Sequence, residues 1–566
     1  MGYLFENNSR GSANGLEHYR GVTAYGVLER TAALLPDRDA VRYGDSHWTY
    51  AELDRDARRC AAMLQRLGVR SGDRVGLLLP NVPEYVIASN GIWRAGGTVV
   101  AINPMMVPRE VERLLQNTDC RLVVCLDLLS HLVASDANPA VRTLLVSIRE
   151  HLPALQQVGY LWKRYSHTGH WSLPTSAASH WFWEELNRTL ADGQNVSIDP
   201  AHDVAYILPT GGTTGVPKAV ALSHQNLVAN AWQQYEWTRR SFGIETMIAV
   251  LPFFHSYGMS ATVMGGTMMG ATLVMHHRFH VAQVIRLMEQ HRPTVFHAVP
   301  AMLSAMNERL RSRPADLRSL RWVISGGAPL EASVGIEFSR HSGALVVEGF
   351  GLSEASPVTH VGDLFGEPRY GSIGLPLPET RCRIVDVDDG VDDVATGEVG
   401  ELIVQGPQVM LGYWNDDAAT AQAIRNGWLY TGDLAIRNPA GDYRIVGRKK
   451  DLIITSGFNV YPGEVEEALR EHGDVLDAAV IGQPDALRGE IVKAYVVLRR
   501  GAVWDESKLR QHCEGRLSNY KRPRVWERCV GDLPRNFLGK VIRRELREKA
   551  ASDDAATEPQ LSTEAS

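Results

Sequence analysis

Cysteine is scarce in this chain of 566 residues. The six present, Cys60, Cys120, Cys125, Cys382, Cys513 and Cys529, lie scattered without a C-x-x-C pair. That pattern argues against a disulfide scaffold and a zinc site, and suits a reducing cytosol. Positive charge is not in excess either: 59 Lys and Arg against 65 Asp and Glu leave a net charge of −6, without an electrostatic footprint for nucleic acid. The one basic cluster, Lys521 to Arg524, reads as a solvated helix end. An unbroken apolar run is missing too. The stretch Met247 to Met275 is longer than the roughly 20 residues that a membrane span needs, but Pro252, His255, Gly258, Gly265, Gly266 and Gly270 interrupt it. It reads as buried strand, helix and strand inside a domain. The first residues, Met1 to Asn8, lack a secretory apolar core, and Glu6 stands where a myristoylation signal needs Ser or Thr. The expectation is a cytoplasmic protein without an integral membrane segment; peripheral membrane contact and a homodimer stay open.

What is present is apolar content of 44% in a chain too long for one core, which implies at least two domains. Residues 23 to 130 alternate helical and strand patterns: Tyr25 to Leu35 and Tyr50 to Leu67 are amphipathic, Arg74 to Leu79 is strand-like, and Tyr85 to Ala95 is helical. This is α/β winding. Residues 155 to 185 break the regularity and read as an irregular excursion. Winding resumes from Val204 to Thr359, short β patterns such as Gly400 to Val404 suggest a small barrel-like subdomain, and Gly447 to Asp451 looks like a linker. A compact α+β unit follows, with helices at Val465 to His472 and Glu506 to Leu517 and strands at Val475 to Ile481 and Ile491 to Leu498. The expected division is 1–449, 450–549 and a polar, disordered tail at 550–566.

The most informative stretch is Tyr206 to Lys218, a Gly- and Thr-rich loop between two apolar strands. Gly211, Gly212 and Gly215 let backbone N–H groups approach an anion, Thr210, Thr213 and Thr214 add hydroxyls, and Lys218 adds charge. The spacing is not that of a Walker loop, and the following Ala-Val-Ala-Leu is again strand-like, so the loop is the tip of a hairpin. It reads as a phosphate clamp.

Further segments follow in order: Gly326-Gly327-Ala328-Pro329, Glu348-Gly349-Phe350-Gly351-Leu352-Ser353-Glu354, Tyr430-Thr431-Gly432-Asp433, Gly447-Arg448-Lys449-Lys450-Asp451, and Pro534 through Gly539-Lys540. This set resembles the adenylate-forming superfamily, and is most similar to bacterial medium- and long-chain fatty acyl-CoA synthetases. The resemblance implies activation of a carboxylic acid by ATP to acyl-AMP and pyrophosphate, then transfer to CoA with release of AMP. The alternatives are an acyl-AMP ligase that loads a carrier protein, and an aryl acid:CoA ligase.

The resemblance also implies roles. Lys540 is the catalytic cation between carboxylate and α-phosphate, assisted by Lys218 and Thr213; Glu354 carries Mg2+, with Ser353 near the α-phosphate. Phe350, with Gly349 and Gly351, and the flat run Gly326, Gly327, Ala328 resemble the walls of an adenine slot. Asp433 and Arg448 address the ribose, and Lys450 is the hinge about which the C-terminal unit turns. That turn would withdraw Lys540 and bring Ser456, Gly457 and Phe458 up as a CoA tunnel. Leu251 to Met259 resembles the entrance of an acyl pocket, with His255 at its mouth and Met259 where some relatives keep a gating Trp; a buried core histidine is an equal reading of His255. Met264, Met268, Met269 and Met275 read either as an adaptable lining or as core filler. No Asp lies between Glu245 and Met275, which argues against an amino acid substrate.

Overall fold

The computed structural model describes residues 18–557 except 134–140, 174–177, 192, 195, 211–217, 457, 486, 537 and 538. Four β-sheets organise them. The largest has nine strands, and its inner six (Asp39–Tyr43, Thr272–Met275, Thr246–Ala249, Val295–Ala298, Trp322–Ser325 and Leu345–Gly351) run parallel. Their almost wholly buried apolar runs are what a sheet covered on both faces requires. The eight-stranded sheet is parallel from Val204–Pro209 through Thr98–Ala101, Arg74–Leu78, Leu122–Leu126 and Arg142–Val146 to Ser179–Trp181. Its other side continues through the antiparallel hairpin Val204–Pro209/Ala219–Ser223 to the short antiparallel strand Gly412–Tyr413.

One apolar core runs through both sheets. The helices Pro83–Arg94 and His224–Trp237 are buried along nearly their whole length. The second starts at a capping box in which the Ser223 hydroxyl and the Asn226 side chain exchange hydrogen bonds with each other's backbone N–H. Polar bonds span the sheets as well: Tyr85 and Tyr206 share a hydroxyl contact of 2.7 Å, and Tyr206 also reaches the Phe253 carbonyl at 3.2 Å. Met247 to Met275 forms the expected buried strand, helix and strand. No helix among the described residues is long and apolar enough to cross a membrane.

A five-stranded antiparallel sheet, built on Arg381–Val385, Gly400–Gln405 and Trp428–Arg437, stands where the barrel-like subdomain was expected. The C-terminal residues form a second five-stranded sheet around the long pair Val475–Asp485/Gly489–Leu498, with an apolar cluster of their own.

Four local expectations need correction. Residues 155 to 185 are not irregular: a helix spans Ala154–Thr168, and a strand and a short helix cover Ser179–Asn187. The linker at Gly447 to Asp451 is the end of the strand Tyr443–Arg448 followed by one tight turn, Lys449–Asp451. The basic cluster at Lys521 is not a solvated helix end, because Lys521 closes a short turn and pairs with Glu464 at 2.6 Å. The polar tail does not begin at Ala550: the helix Arg543–Thr557 runs through it, and Ala550 is buried beside Leu546 and Leu533. Residues 558–566 lie outside the described residues.

Candidate active site

A cavity of about 430 Å³ opens where the C-terminal ends of the parallel strands, the hairpin and the C-terminal unit meet. The hairpin has the expected form: Pro209 pairs with Ala219, and Thr210 N–H donates to the Lys218 carbonyl at 2.7 Å. Thr210 and Lys218 line the cavity, while Gly211, Gly212, Thr213, Thr214 and Gly215 lie outside the described residues. The Lys218 ammonium stands 4.7 Å from the centre of the Tyr413 ring, and the Tyr413 hydroxyl donates to Glu354 Oε1 at 2.9 Å. A cation and a carboxylate are thus held on one aromatic residue without neutralising each other directly. Glu354 is fixed from behind, where its carbonyl accepts from Met410 N–H at 2.8 Å. Ser353 Oγ lies 3.2 Å from Ser256 Oγ.

Gly326, Gly327, Gly349, Phe350 and Gly351 line one wall of the cavity, at the ends of the neighbouring strands Trp322–Ser325 and Leu345–Gly351. A Cβ on Gly351 would come within 2.0 Å of the Pro357 carbonyl oxygen, and one on Gly326 within 3.0 Å of the Tyr257 ring. Only glycine fits this close approach. Glu348 ties the wall together, accepting from Leu330 N–H at 3.2 Å and Gly371 N–H at 2.9 Å. Burial pushes its carboxyl up to about 7. Ala328 is in the same turn but not part of the cavity lining.

Asp433 and Arg448 face each other across the antiparallel pair Trp428–Arg437/Tyr443–Arg448. Arg448 Nε donates to Asp433 Oδ1 at 2.9 Å. Asp433 Oδ2 is buried with no hydrogen-bond partner among the described residues. An orphaned carboxylate oxygen beside a cavity is a site for a hydroxyl donor, since leaving it unpaired costs about 1–3 kcal/mol or more. Arg448, Lys450 and Lys540 line the cavity together. Lys540 is carried by a tight loop in which Asn536 Oδ1 accepts from Lys540 N–H at 3.0 Å and Gly539 has φ +81°. That glycine lies against the helix Pro300–Ser312, where a Cβ would stand 3.3 Å from Ala301 Cβ. Burial first, then the neighbouring Arg448, pulls the Lys540 ammonium down to about 8.

The cavity continues inward along the strands, past His297 and Ile324 to Val295, Trp322, Trp237 and Leu364. From Gly326 to Trp322 is four residues of one strand, a depth of about 13 Å. This half is mainly apolar. His255 lines the cavity; burial lowers its imidazole to about 4, and Nδ1 accepts from Tyr257 N–H at 3.2 Å, so the ring is neutral at pH 7. Met259 lies in the core rather than in the lining, as do Met264, Met268 and Met275; of these methionines Met269 lines the cavity. Ser456 and Phe458 do not line it either. The Ser456 N–H donates to the Arg488 carbonyl, Phe458 is exposed and stacked on Tyr520, and Gly457 lies outside the described residues.

A model of the AMP-binding enzyme family matches residues 28–414, and a model of the AMP-binding enzyme C-terminal domain matches residues 464–540. The chain belongs to the AMP-binding enzyme family. Its relatives in that family include the long-chain-fatty-acid–CoA ligase of Bacillus subtilis, 37% identical over 531 residues that cover 93% of this chain and 94% of that protein. The corresponding ligase of Escherichia coli O157:H7 is 33% identical over 541 residues, again 93% and 94%. Among solved structures, ATP-bound MatB from Rhodopseudomonas palustris matches with a TM-score of 0.81 at 28% identity, over 93% of this chain and 99% of that one. Apo MatB matches with a TM-score of 0.72. Within this AMP-binding enzyme, Asp433, Arg448 and Lys450 fall between the two matched spans, and Lys540 is the last residue of the second.

Sequence reasoning missed Tyr413, Asn536 and the inner residues Trp237, Val295, His297 and Trp322. Each sits in a stretch whose pattern is that of an ordinary core strand, helix or loop. Their common cavity exists only once strands from distant parts of the chain are side by side.

Proposed function

We propose that this protein activates a medium- or long-chain fatty acid with ATP, giving acyl-AMP and pyrophosphate, and then transfers the acyl group to CoA with release of AMP. The observation that carries this reading is one continuous cavity with Lys218, Glu354, Arg448 and Lys540 at its mouth and an apolar depth of about 13 Å behind them. Relatives named as long-chain-fatty-acid–CoA ligases support the same substrate class.

In the first step the acid's carboxylate oxygen attacks the α-phosphorus in line and the bond to pyrophosphate breaks. Such a step needs positioning and charge neutralisation rather than a protein nucleophile. Lys540 neutralises the attacking carboxylate and the α-phosphate; Lys218 and the backbone of the loop around Thr213 hold the outer phosphates. Asp433 Oδ2 accepts from a ribose hydroxyl, and Arg448 holds the carboxylate in place through Oδ1. Glu354 is the hard oxygen donor that would hold Mg2+, which would supply charge neutralisation for the phosphates. That Lys540 lines the same cavity as Lys218 and Glu354 supports a C-terminal unit, residues 450–549, poised for this first step. In the second step the CoA sulfur attacks the acyl carbonyl and AMP leaves; turning about Lys450 would bring Ser456, Gly457 and Phe458 to the pantetheine.

The test is incubation of the protein with ATP, Mg2+, CoA and a panel of acids, with products identified by mass. Acyl-CoA from fatty acids supports the reading, and an acyl-adenylate that persists despite CoA overturns it. Depth sets chain length, so Val295→Phe at the inner end should lower kcat/KM for the longest accepted acid about tenfold or more while sparing short acids. A uniform loss for all acids would place the acyl chain elsewhere.

Adenylation also carries a pH signature. Its ammonium is the working form of Lys540, and that group titrates near 8, so the free enzyme loses it as pH rises through this value. The kcat/KM for ATP should fall above about pH 8, and Lys540→Arg should remove that alkaline limb from whatever activity it keeps. A profile flat to the usual lysine range of about 10.4 would contradict the assignment.

A further inference from the structure

The helix Ala154–Thr168 is built inside out. Its buried residues are Tyr160 and Arg164, and both meet a carboxylate. The Tyr160 hydroxyl donates to Asp127 Oδ1, and Arg164 Nε stands 3.5 Å from Asp127 Oδ2. The guanidinium also lies 5.7 Å from the centre of the Trp181 ring. The anchor facing the protein is therefore polar and charged.

The face turned to solvent is apolar. Leu155, Val158, Trp162 and Tyr165 follow at intervals of three, four and three, which confines them on a helix to an arc of about 80°, roughly opposite Tyr160 and Arg164. They are 91%, 60%, 64% and 42% exposed. Trp171, half exposed, folds back beyond Gly169, stacks on Tyr165 at 4.6 Å between ring centres and meets Trp162 edge-on at 5.7 Å. A contiguous exposed patch of this kind marks a binding surface. The segment's charge is one-sided: between Glu150 and Glu184 the chain contains no Asp or Glu, while Lys163 and His167 on the helix and His170 just after it are exposed.

We propose that this face docks the protein on an anionic phospholipid bilayer. Trp and Tyr rings combine an apolar body with a polar edge and settle at the lipid–water boundary, where Leu and Val reach the acyl region. A segment without acidic side chains and with an exposed Lys163 complements a negative headgroup layer, to which a nearby Lys adds attraction. The fatty-acid activation proposed above gives the surface a use, because such acids collect in bilayers, but lipid binding stands or falls independently of turnover.

The experiment is co-sedimentation of the full chain with sucrose-loaded vesicles, one set of phosphatidylcholine alone and one of three parts phosphatidylcholine to one of phosphatidylglycerol. The protein should pellet with the anionic vesicles, less so at high salt. Trp162→Ser with Tyr165→Ser and Trp171→Ser should lower the partition coefficient about tenfold or more. Lys163→Glu should lower it about fivefold on anionic vesicles. Leu155→Ser with Val158→Ser, at positions that are mostly exposed, carries the test if the aromatic variant does not fold. Unchanged melting temperature and unchanged turnover of a soluble acid would separate lost docking from lost structure. A protein that stays in the supernatant with anionic vesicles, or folded stripe variants that pellet as the parent does, would overturn the proposal. So would stripe variants that turn a dimer into a monomer in sedimentation velocity, which would assign the face to a second copy.

Discussion

Lys540→Ala should slow acyl-adenylate formation by about 10²–10³-fold, the usual cost of removing one preorganised donor from a developing charge. Pyrophosphate release in single turnovers measures it. The reason is positional: Lys540 is presented to the cavity by a loop closed on Asn536 and braced against Ala301, so its ammonium is held before substrate arrives. A nearby charge on solvent would not replace it. Thioester formation from supplied acyl-AMP and CoA should remain within a few fold of the parent, because the proposed second step does not use this group. Equal loss in both half-reactions would point to a folding defect or a different role. Adenylation within a few fold of the parent would remove Lys540 from the catalytic set.

Asp433→Ala should cost about 100-fold in kcat/KM for ATP and little in KM for the acid. Two effects add in this variant. The buried Oδ2 loses its use as an acceptor, and Arg448 loses the 2.9 Å partner that holds it at the cavity wall. Hydrogen bonds to a charged group contribute about 1.5–3 kcal/mol each, so about 3 kcal/mol, or two powers of ten, is the expected scale. The distinguishing measurement is discrimination: the parent should prefer ATP over its 2′-deoxy or 3′-deoxy analogue, and the variant should not. A variant that still discriminates would move the ribose away from Asp433.

Much of the fold was legible in the sequence because parallel strands buried on both faces must be apolar throughout, and amphipathic helices must repeat at 3.6 residues. Tyr50–Arg66 and Val295–Ala298 obey those rules. The helix Ala154–Thr168 does not: its inward residues are Tyr160 and Arg164, satisfied by Asp127, and its apolar stripe faces out. A pattern read as inward-apolar cannot locate such a helix. The same holds for Lys521, whose partner Glu464 lies 57 positions away.

The sequence by itself determined which chemical groups could meet a nucleotide: a glycine-rich loop ending in Lys218, the Gly349–Gly351 run before Glu354, and Asp433, Arg448 and Lys540. For the loop, local composition suffices, because close backbone approach demands glycine and charge neutralisation demands a cation; Glu354, Asp433, Arg448 and Lys540 are marked by the resemblance of their motifs to those of the adenylate-forming superfamily. Only the tertiary structure decided that Tyr413 stands between Lys218 and Glu354, that one oxygen of Asp433 is left unpaired among the described residues, and that Trp237, Val295 and Trp322 lie at the far end of the cavity. Those facts depend on which strands and helices become neighbours, and that is set by burial over the whole chain rather than by any short stretch of it.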